Sequence, residues 1–160
     1  MSEPTTEQIE AAVLNDPDNA ELRYLLGADL AQRREYDRAI AEIGAALELR
    51  PTMPEARFQL GLLHLTQGNP QSAREVWAPL DQLSDRAALK HFKAGLEALI
   101  VDDFKTCLAS LEEGIRLNTA NEPLNRDMSL VLERTRALLG APADGEAAAR
   151  TDFSLYGSRN

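Results

Sequence analysis

The chain has 160 residues, which is enough for one domain to bury a core without disulfides or metals. Its formal net charge of −9 would repel a phosphate backbone, so we expect neither nucleic acid nor an anionic membrane as a partner. Hydrophobic residues make up 44% of the sequence and aromatic residues only 5%, which favours helices rich in alanine and leucine over a β-sandwich.

Sequence signals for export, membrane insertion and metal binding are absent. The N-terminal residues have neither the basic nor the apolar region of a signal peptide, and no apolar run is long enough to span a bilayer. Cys107 is the only cysteine, and no Cys/His cluster has the spacing of a zinc site. We therefore expect a cytoplasmic protein that carries no cofactor and no metal.

The predicted elements are all helical. Apolar residues recur at spacings of three and four, and turn-forming stretches such as residues 67–70 separate the helices. Each unit is therefore a helix, a tight turn and an antiparallel helix. In chain order the elements are a helix at about 6–16, units at 20–53, 54–87 and 88–121, an amphipathic helix at 122–139, and a flexible tail with an apolar end at 141–160.

The three units repeat with a period of 34 residues. The period holds for a glycine in each first helix and for a small residue in each second helix. Agreement of many positions on one period is typical of a repeat protein. The positions are Gly27, Gly61 and Gly95, and Ala39, Ala73 and Cys107.

A helix-turn-helix of 34 residues with Leu-Gly in its first helix, a small residue in its second and a closing proline resembles the tetratricopeptide repeat. The resemblance covers about residues 6–140. It implies an all-α, right-handed α-solenoid of three repeats, with an N-terminal half-repeat helix and a C-terminal capping helix. These elements would form a single domain over residues 1–140.

The sequence departs from the family pattern at several positions. Arg23, Arg57 and His91 occupy the place where the first helix usually carries a bulky aromatic residue. Pro79 lies inside the second helix of the second repeat, and we expect a kink or break there. The glycine of the turn is present in the second repeat only. The three turn residues are Arg34, Gly68 and Asp102.

In this family the first helix of each repeat lines a concave groove. Residues on that face include an aromatic ladder with a period of 34, flanked by leucines. We expect the groove to bind an apolar peptide or helix of another protein, as an adaptor, chaperone or assembly factor does. Alternatively, these side chains pack against neighbouring helices. The candidate residues are Glu21, Tyr24, Ala28 and Gln32, then Glu55, Phe58, Leu62, Leu65 and Thr66, then Phe92 and Leu96.

The tail carries a second candidate binding element. Phe153, Leu155 and Tyr156 follow a linker that is long enough to reach the chain's own groove or a neighbour's. A second hypothesis is therefore a self-assembling scaffold, a homo-oligomer in which this tail is the ligand.

The residues of this groove can be compared with those of two subclasses of the family. Members that hold the acidic C-termini of heat-shock chaperones use Lys, Arg and Asn, whereas Tyr24, Ala28 and Phe58 cannot pair with a carboxylate. Size and groove chemistry also resemble the bacterial chaperones that hold type III secretion translocators, which is a narrower hypothesis.

No pattern of an enzyme is present. His64 and His91 are the only histidines, and neither is placed to form a nucleophile pair with Cys107. Cys107 replaces an alanine of the other repeats, which predicts a buried, small side chain. We therefore expect no catalytic residue.

Overall fold

The structure, a computed structural model, describes residues 2–140. Over this range the chain forms eight α-helices and one short 3₁₀ helix, and no strand. The predicted all-α class is confirmed. The α-helices are α1 Thr6–Asn15, α2 Ala20–Gln32, α3 Tyr36–Leu49, α4 Pro54–Thr66, α5 Pro70–Trp77, α6 Ala88–Ile100, α7 Phe104–Leu117 and α8 Glu122–Gly140, and the 3₁₀ helix Ala78–Gln82 follows α5.

The helix starts keep the period of the sequence. The helices α2, α4, α6 and α8 begin at residues 20, 54, 88 and 122, and α3, α5 and α7 begin at residues 36, 70 and 104. Each repeat therefore pairs a first helix, α2, α4 or α6, with a second helix, α3, α5 or α7. The described residues fall into two compact units, residues 2–76 and residues 77–140.

In the first unit, aliphatic side chains form one core between the helices. The helix α2 lies against α1 and α3, and α3 lies against α4. Gly27 allows the close approach of α2 to α3, because a Cβ atom there would lie only 2.4 Å from Cγ1 of Ile43. The buried members of this core are Ile9, Val13, Leu26, Leu30, Ala31, Ala39, Ile43, Leu47, Ala56, Leu60 and Leu63.

The second unit repeats the same close contact. The helix α7 packs against both α6 and α8. A Cβ atom on Gly95 would lie 2.7 Å from Cδ2 of Leu111, and Gly27 makes the equivalent close approach to Ile43 two periods of the repeat earlier. In the first and third repeats, the repeated glycine is therefore the point where the two helices of a repeat touch.

The turns between first and second helices share one backbone geometry. Arg34 has a positive φ of 63°, and its amide donates to the carbonyl of Ala31. The amide of Glu35 donates to the carbonyl of Leu30 at 2.9 Å, which completes a Schellman motif. Gly68 and Asp102 have φ values of 79° and 59°, and the same bonds join Asn69 to His64, Gly68 to Leu65, Asp103 to Ala98 and Asp102 to Leu99.

The predicted break at Pro79 is present. The helix α5 ends at Trp77, and the chain continues as the 3₁₀ helix Ala78–Gln82, because proline has no amide hydrogen for the helical ladder. Lys93 of α6 holds this segment in place. Its ammonium lies 2.8 Å from Oδ1 of Asp81 and 3.2 Å from Oε2 of Glu97.

Candidate partner-binding surface

Most apolar side chains of the predicted groove are buried. Phe58 is 0% exposed, Leu62 1% and Leu65 5%. Phe92 and Leu96 of the third repeat are 0% exposed. A buried side chain offers no surface to a partner in this conformation. These five residues therefore fit the alternative interpretation, in which they pack inside the fold. The surface that a partner can touch is therefore narrower than the sequence pattern suggests.

Phe92 illustrates how such an aromatic ring is packed. A Cβ atom on Gly114 of α7 would lie 2.5 Å from two atoms of the Phe92 ring. The ring therefore covers the backbone of α7 at a position where any larger side chain would collide with it. Gly114 stands one period after Leu80 and two after Ala46, so glycine occupies this position in the third repeat only.

The remaining six candidate residues lie on α2 and α4 of the first unit, and they are not buried. We call them the α2–α4 face. The helices α2 and α4 contact one another within the first unit. Glu21, Gln32 and Glu55 are exposed, and Tyr24, Ala28 and Thr66 are partly buried.

Tyr24 is the aromatic residue of this face. Burial, followed by the negative charge of nearby Glu55, raises the pKa of its phenol to about 12. The hydroxyl therefore stays protonated at physiological pH. The ring is partly covered by the core of the first unit, which holds it in place.

Glu21 and Thr66 of the face have hydrogen-bond partners within the fold. Oε1 of Glu21 accepts a hydrogen bond from Nη1 of Arg50 at 3.0 Å. The hydroxyl of Thr66 donates to the carbonyl of Leu62 at 2.8 Å. Glu55 makes neither a hydrogen bond nor an ion pair with another described residue. Its carboxylate is the group of the face that is most available to a ligand.

The thiol of Cys107 is buried, as its place in the repeat predicts. Its Sγ lies 3.7 Å from Oγ1 of Thr135, and Thr135 donates its own hydrogen to the carbonyl of Val131. The thiol therefore donates to Thr135. Burial raises the pKa of the Cys107 thiol, which disfavours the thiolate that a nucleophile requires.

The histidines have other surroundings. Nε2 of His91 donates to the backbone carbonyl of Asp85 at 2.6 Å. Burial lowers the pKa of His64, which favours its neutral form. Over residues 2–140, no group of three His, Cys, Asp or Glu side chains is arranged to hold a metal ion.

Sequence reasoning missed an exposed stripe on α8. The predicted apolar face of this helix is buried, but Leu130 on the other side is 42% exposed. The sequence did carry one signal for this stripe: a single leucine stands among polar residues that are three or four positions apart. We call this row the α8 stripe, and it lines an open depression. Its residues are Glu122, Asn125, Arg126, Ser129, Leu130 and Glu133.

The predicted tail ligand, Phe153, Leu155 and Tyr156, lies outside the described residues.

Residues 24–78 match the family model of the tetratricopeptide repeat. This region of the chain is therefore tetratricopeptide repeat sequence. The match runs from Tyr24 in α2 to Ala78 just after α5, which is the region of the first two repeats. No curated protein sequence matches the chain. Tetratricopeptide repeats are generally modules of protein–protein interaction. None of the helices between residues 2 and 140 has the length and apolar character needed to cross a membrane.

Proposed function

We propose that this tetratricopeptide repeat protein is a non-catalytic binding module that holds a segment of another protein on the α2–α4 face. An adaptor, a chaperone or an assembly factor has this activity. The segment has an apolar side chain that packs on Tyr24 and Ala28. Polar groups of the same segment bond to Gln32 and Glu55.

The position of Tyr24 is the observation that carries the proposal. The ring is partly exposed and packs against the core of the first unit, and the exposed carboxylate of Glu55 lies near its hydroxyl. Tyrosine is enriched among the residues that dominate binding energy, since it offers a large rigid surface and a hydroxyl. A tyrosine that is fixed before binding loses little conformational entropy when a partner arrives.

The burial of the predicted ladder limits the size of the partner's apolar anchor. With Phe58 and Leu62 buried, a long apolar helix finds no continuous apolar track on the first unit. A partner segment with one or two apolar side chains flanked by polar groups fits this surface better. This argument also weakens the self-assembling scaffold, because Phe153 and Leu155 of a neighbour would need the same apolar track.

A pair of matched variants tests the proposal. Ala28→Arg with Glu55→Lys places bulk and positive charge on the face, and Ala41→Arg with Glu48→Lys makes the same changes at exposed positions of α3. We expect proteins that are crosslinked to the wild-type chain in its native host to remain with the α3 variant and to be lost from the face variant. Partners that stay with the face variant as strongly as with wild type would contradict the proposal.

Substitution of Phe58 and Leu62 by charged residues would not be an informative test. Both side chains are buried, so a glutamate at either position would unfold the protein through the cost of burying a charge. Glu55 is exposed and Ala28 is only partly buried, so substitutions at these positions carry less of this cost.

A further inference from the structure

The residues that precede α6 form a distinct segment of the second unit. They are the 3₁₀ helix Ala78–Gln82 and the five residues that follow it, and we call residues 78–87 the strap. Within the 3₁₀ helix, Leu80 is 2% exposed, whereas its other four residues are exposed. A single apolar side chain therefore anchors this helix in the fold.

Two lysines of α6 attach the strap by charge. Nζ of Lys93 lies 2.8 Å from Oδ1 of Asp81, whose side chain is 59% exposed. Nζ of Lys90 donates to the carbonyl of Leu83 at 3.2 Å and lies 2.9 Å from Oδ1 of Asp85. Both carboxylates face water, so dissolved salt screens their attraction to the lysines.

The first unit has apolar residues at two of the equivalent positions. Leu47 and Leu63 are 8% and 0% exposed and belong to the same core. One period later, the second unit has carboxylates at both of these positions. The second unit therefore uses ionic groups where the first unit uses buried leucines. The corresponding pairs of residues are Leu47 and Asp81, Gln59 and Lys93, and Leu63 and Glu97.

Lys93 keeps a partner when the strap leaves α6. Its ammonium also lies 3.2 Å from Oε2 of Glu97, four residues later on the same helix. Burial alone would lower the pKa of Lys93, but the hydrogen bonds to Asp81 and Glu97 outweigh burial and raise the pKa, so the ammonium is charged at physiological pH. Because Glu97 belongs to α6, the departure of Asp81 leaves no buried charge unpaired. Opening of the strap therefore avoids the main cost of breaking a buried ion pair.

We propose that the strap opens from α6 while the helices of the second unit stay folded, and that ionic strength sets how often it opens. Salt weakens the pairs of Asp81 and Asp85 with the two lysines, whereas it does not weaken apolar contacts such as those of the first unit. Opening exposes Leu80. The strap does not include the α2–α4 face, so either proposal can fail without the other.

Thiol labelling with iodoacetamide, an uncharged reagent, tests the proposal. Leu80→Cys, combined with Cys107→Ala, places the only thiol on the strap. The wild-type chain is the control, because its only thiol, Cys107, is buried in the second unit and reacts when that unit unfolds. Each labelling rate is divided by the rate of the same chain unfolded in urea at the same salt concentration.

The two thiols should respond differently to salt. Between about 0.05 M and about 1 M sodium chloride, we expect the labelling rate of Leu80→Cys to rise at least about threefold more than that of Cys107. Equal salt effects on the two thiols, or a larger effect on Cys107, would overturn the proposal, because the strap would then open only when the whole unit unfolds.

A second measurement needs no cysteine on the strap. Asp81→Asn removes the charge of an exposed side chain and keeps its size, and Glu133→Gln removes the charge of an exposed residue of α8 as the control. Hydrogen exchange is measured at the amide of Leu83, which donates to the carbonyl of Leu80 in the closed strap. We expect exchange at low salt to become at least about threefold faster in Asp81→Asn and to stay unchanged in Glu133→Gln. No acceleration in Asp81→Asn, or an equal one in the control, would contradict the proposal.

Discussion

Arg23 donates a hydrogen bond from Nε to the backbone carbonyl of Pro17 at 2.6 Å. Its Nη1 also lies 3.0 Å from Oε2 of Glu42 on α3, so one side chain joins the loop before α2 to both helices of the repeat. The bond recurs with the period of the sequence: Arg57 donates to Pro51 at 3.2 Å, and His91 donates to Asp85 at 2.6 Å.

These bonds give a role to a departure from the family pattern. The position that usually carries a bulky aromatic residue carries a hydrogen-bond donor in all three repeats. The donor satisfies a carbonyl six residues earlier, and in Arg57 it also satisfies the carbonyl of Val76. The loop is thus held by a polar contact where an aromatic ring would hold it by packing.

Arg23→Met should lower the free energy of unfolding by about 1–2 kcal/mol, because it removes two charge-assisted bonds but keeps the aliphatic part of the side chain. Arg33→Met is the matched control, since its ion pair with Asp29 has an arginine that is 55% exposed. The control should lose about 0.5 kcal/mol or less. Urea denaturation measures both values. Equal losses would show that the bonds to Pro17 and Glu42 stabilise the fold no more than the exposed ion pair of Arg33 does.

Gly68→Ala and Gly44→Ala should change stability in opposite directions. Neither glycine has a heavy atom within 4 Å of an added Cβ, so neither substitution is limited by space. Gly68 has a φ of 79°, where an L residue costs about 1–2 kcal/mol. Gly44 lies inside α3, where alanine is favoured over glycine by about 0.5–1 kcal/mol. Thermal unfolding of both variants checks the signs, and a gain for Gly68→Ala would refute the left-handed turn.

Stability should fall as the pH rises from 10 towards 12, in part because of Tyr24. The phenol has a pKa of about 12 in the folded chain and a model value of 10.0 in the unfolded chain. Between these values the unfolded state has lost the proton that the folded state keeps, so rising pH favours unfolding. Tyr24→Phe removes this group and should show a shallower decline in a urea series. Identical slopes for wild type and variant would contradict the shifted pKa.

Removal of residues 150–160 should leave the oligomeric state unchanged in light scattering. The reason is that Phe58 and Leu62 are buried, so a neighbouring chain offers the tail no continuous apolar track. A drop to a smaller assembly would contradict this prediction and would support the self-assembling scaffold in which Phe153 and its neighbours bind another molecule. The full-length chain at the same concentration is the control.

The arrangement of helices follows from the sequence because the period is carried by the contacts themselves. Gly27 and Gly95 recur where two helices touch, and the turn residues recur where a Schellman motif ends the first helix. The predicted units begin at residues 20, 54 and 88, and α2, α4 and α6 begin at the same residues. The predicted helices at 6–16 and 122–139 differ by one residue from α1 and α8 at one end each.

The candidate site follows from the sequence only in part. Helical spacing identifies the residues that share a face, but it does not identify which neighbour covers that face. Tyr24, Phe58 and Phe92 occupy one position of the repeat, yet only Tyr24 keeps an exposed part. In the same way, the apolar face of α8 was predictable, whereas the exposure of Leu130 was not.

The central claim is that the α2–α4 face contacts a partner. A photoreactive amino acid at position 32, which replaces exposed Gln32, tests it directly in living cells of the native host. The same residue at position 48, in place of exposed Glu48 on α3, is the control. We predict a discrete crosslinked protein from position 32 and none from position 48. Crosslinks from position 48 alone, or equal crosslinks from both positions, would contradict the claim.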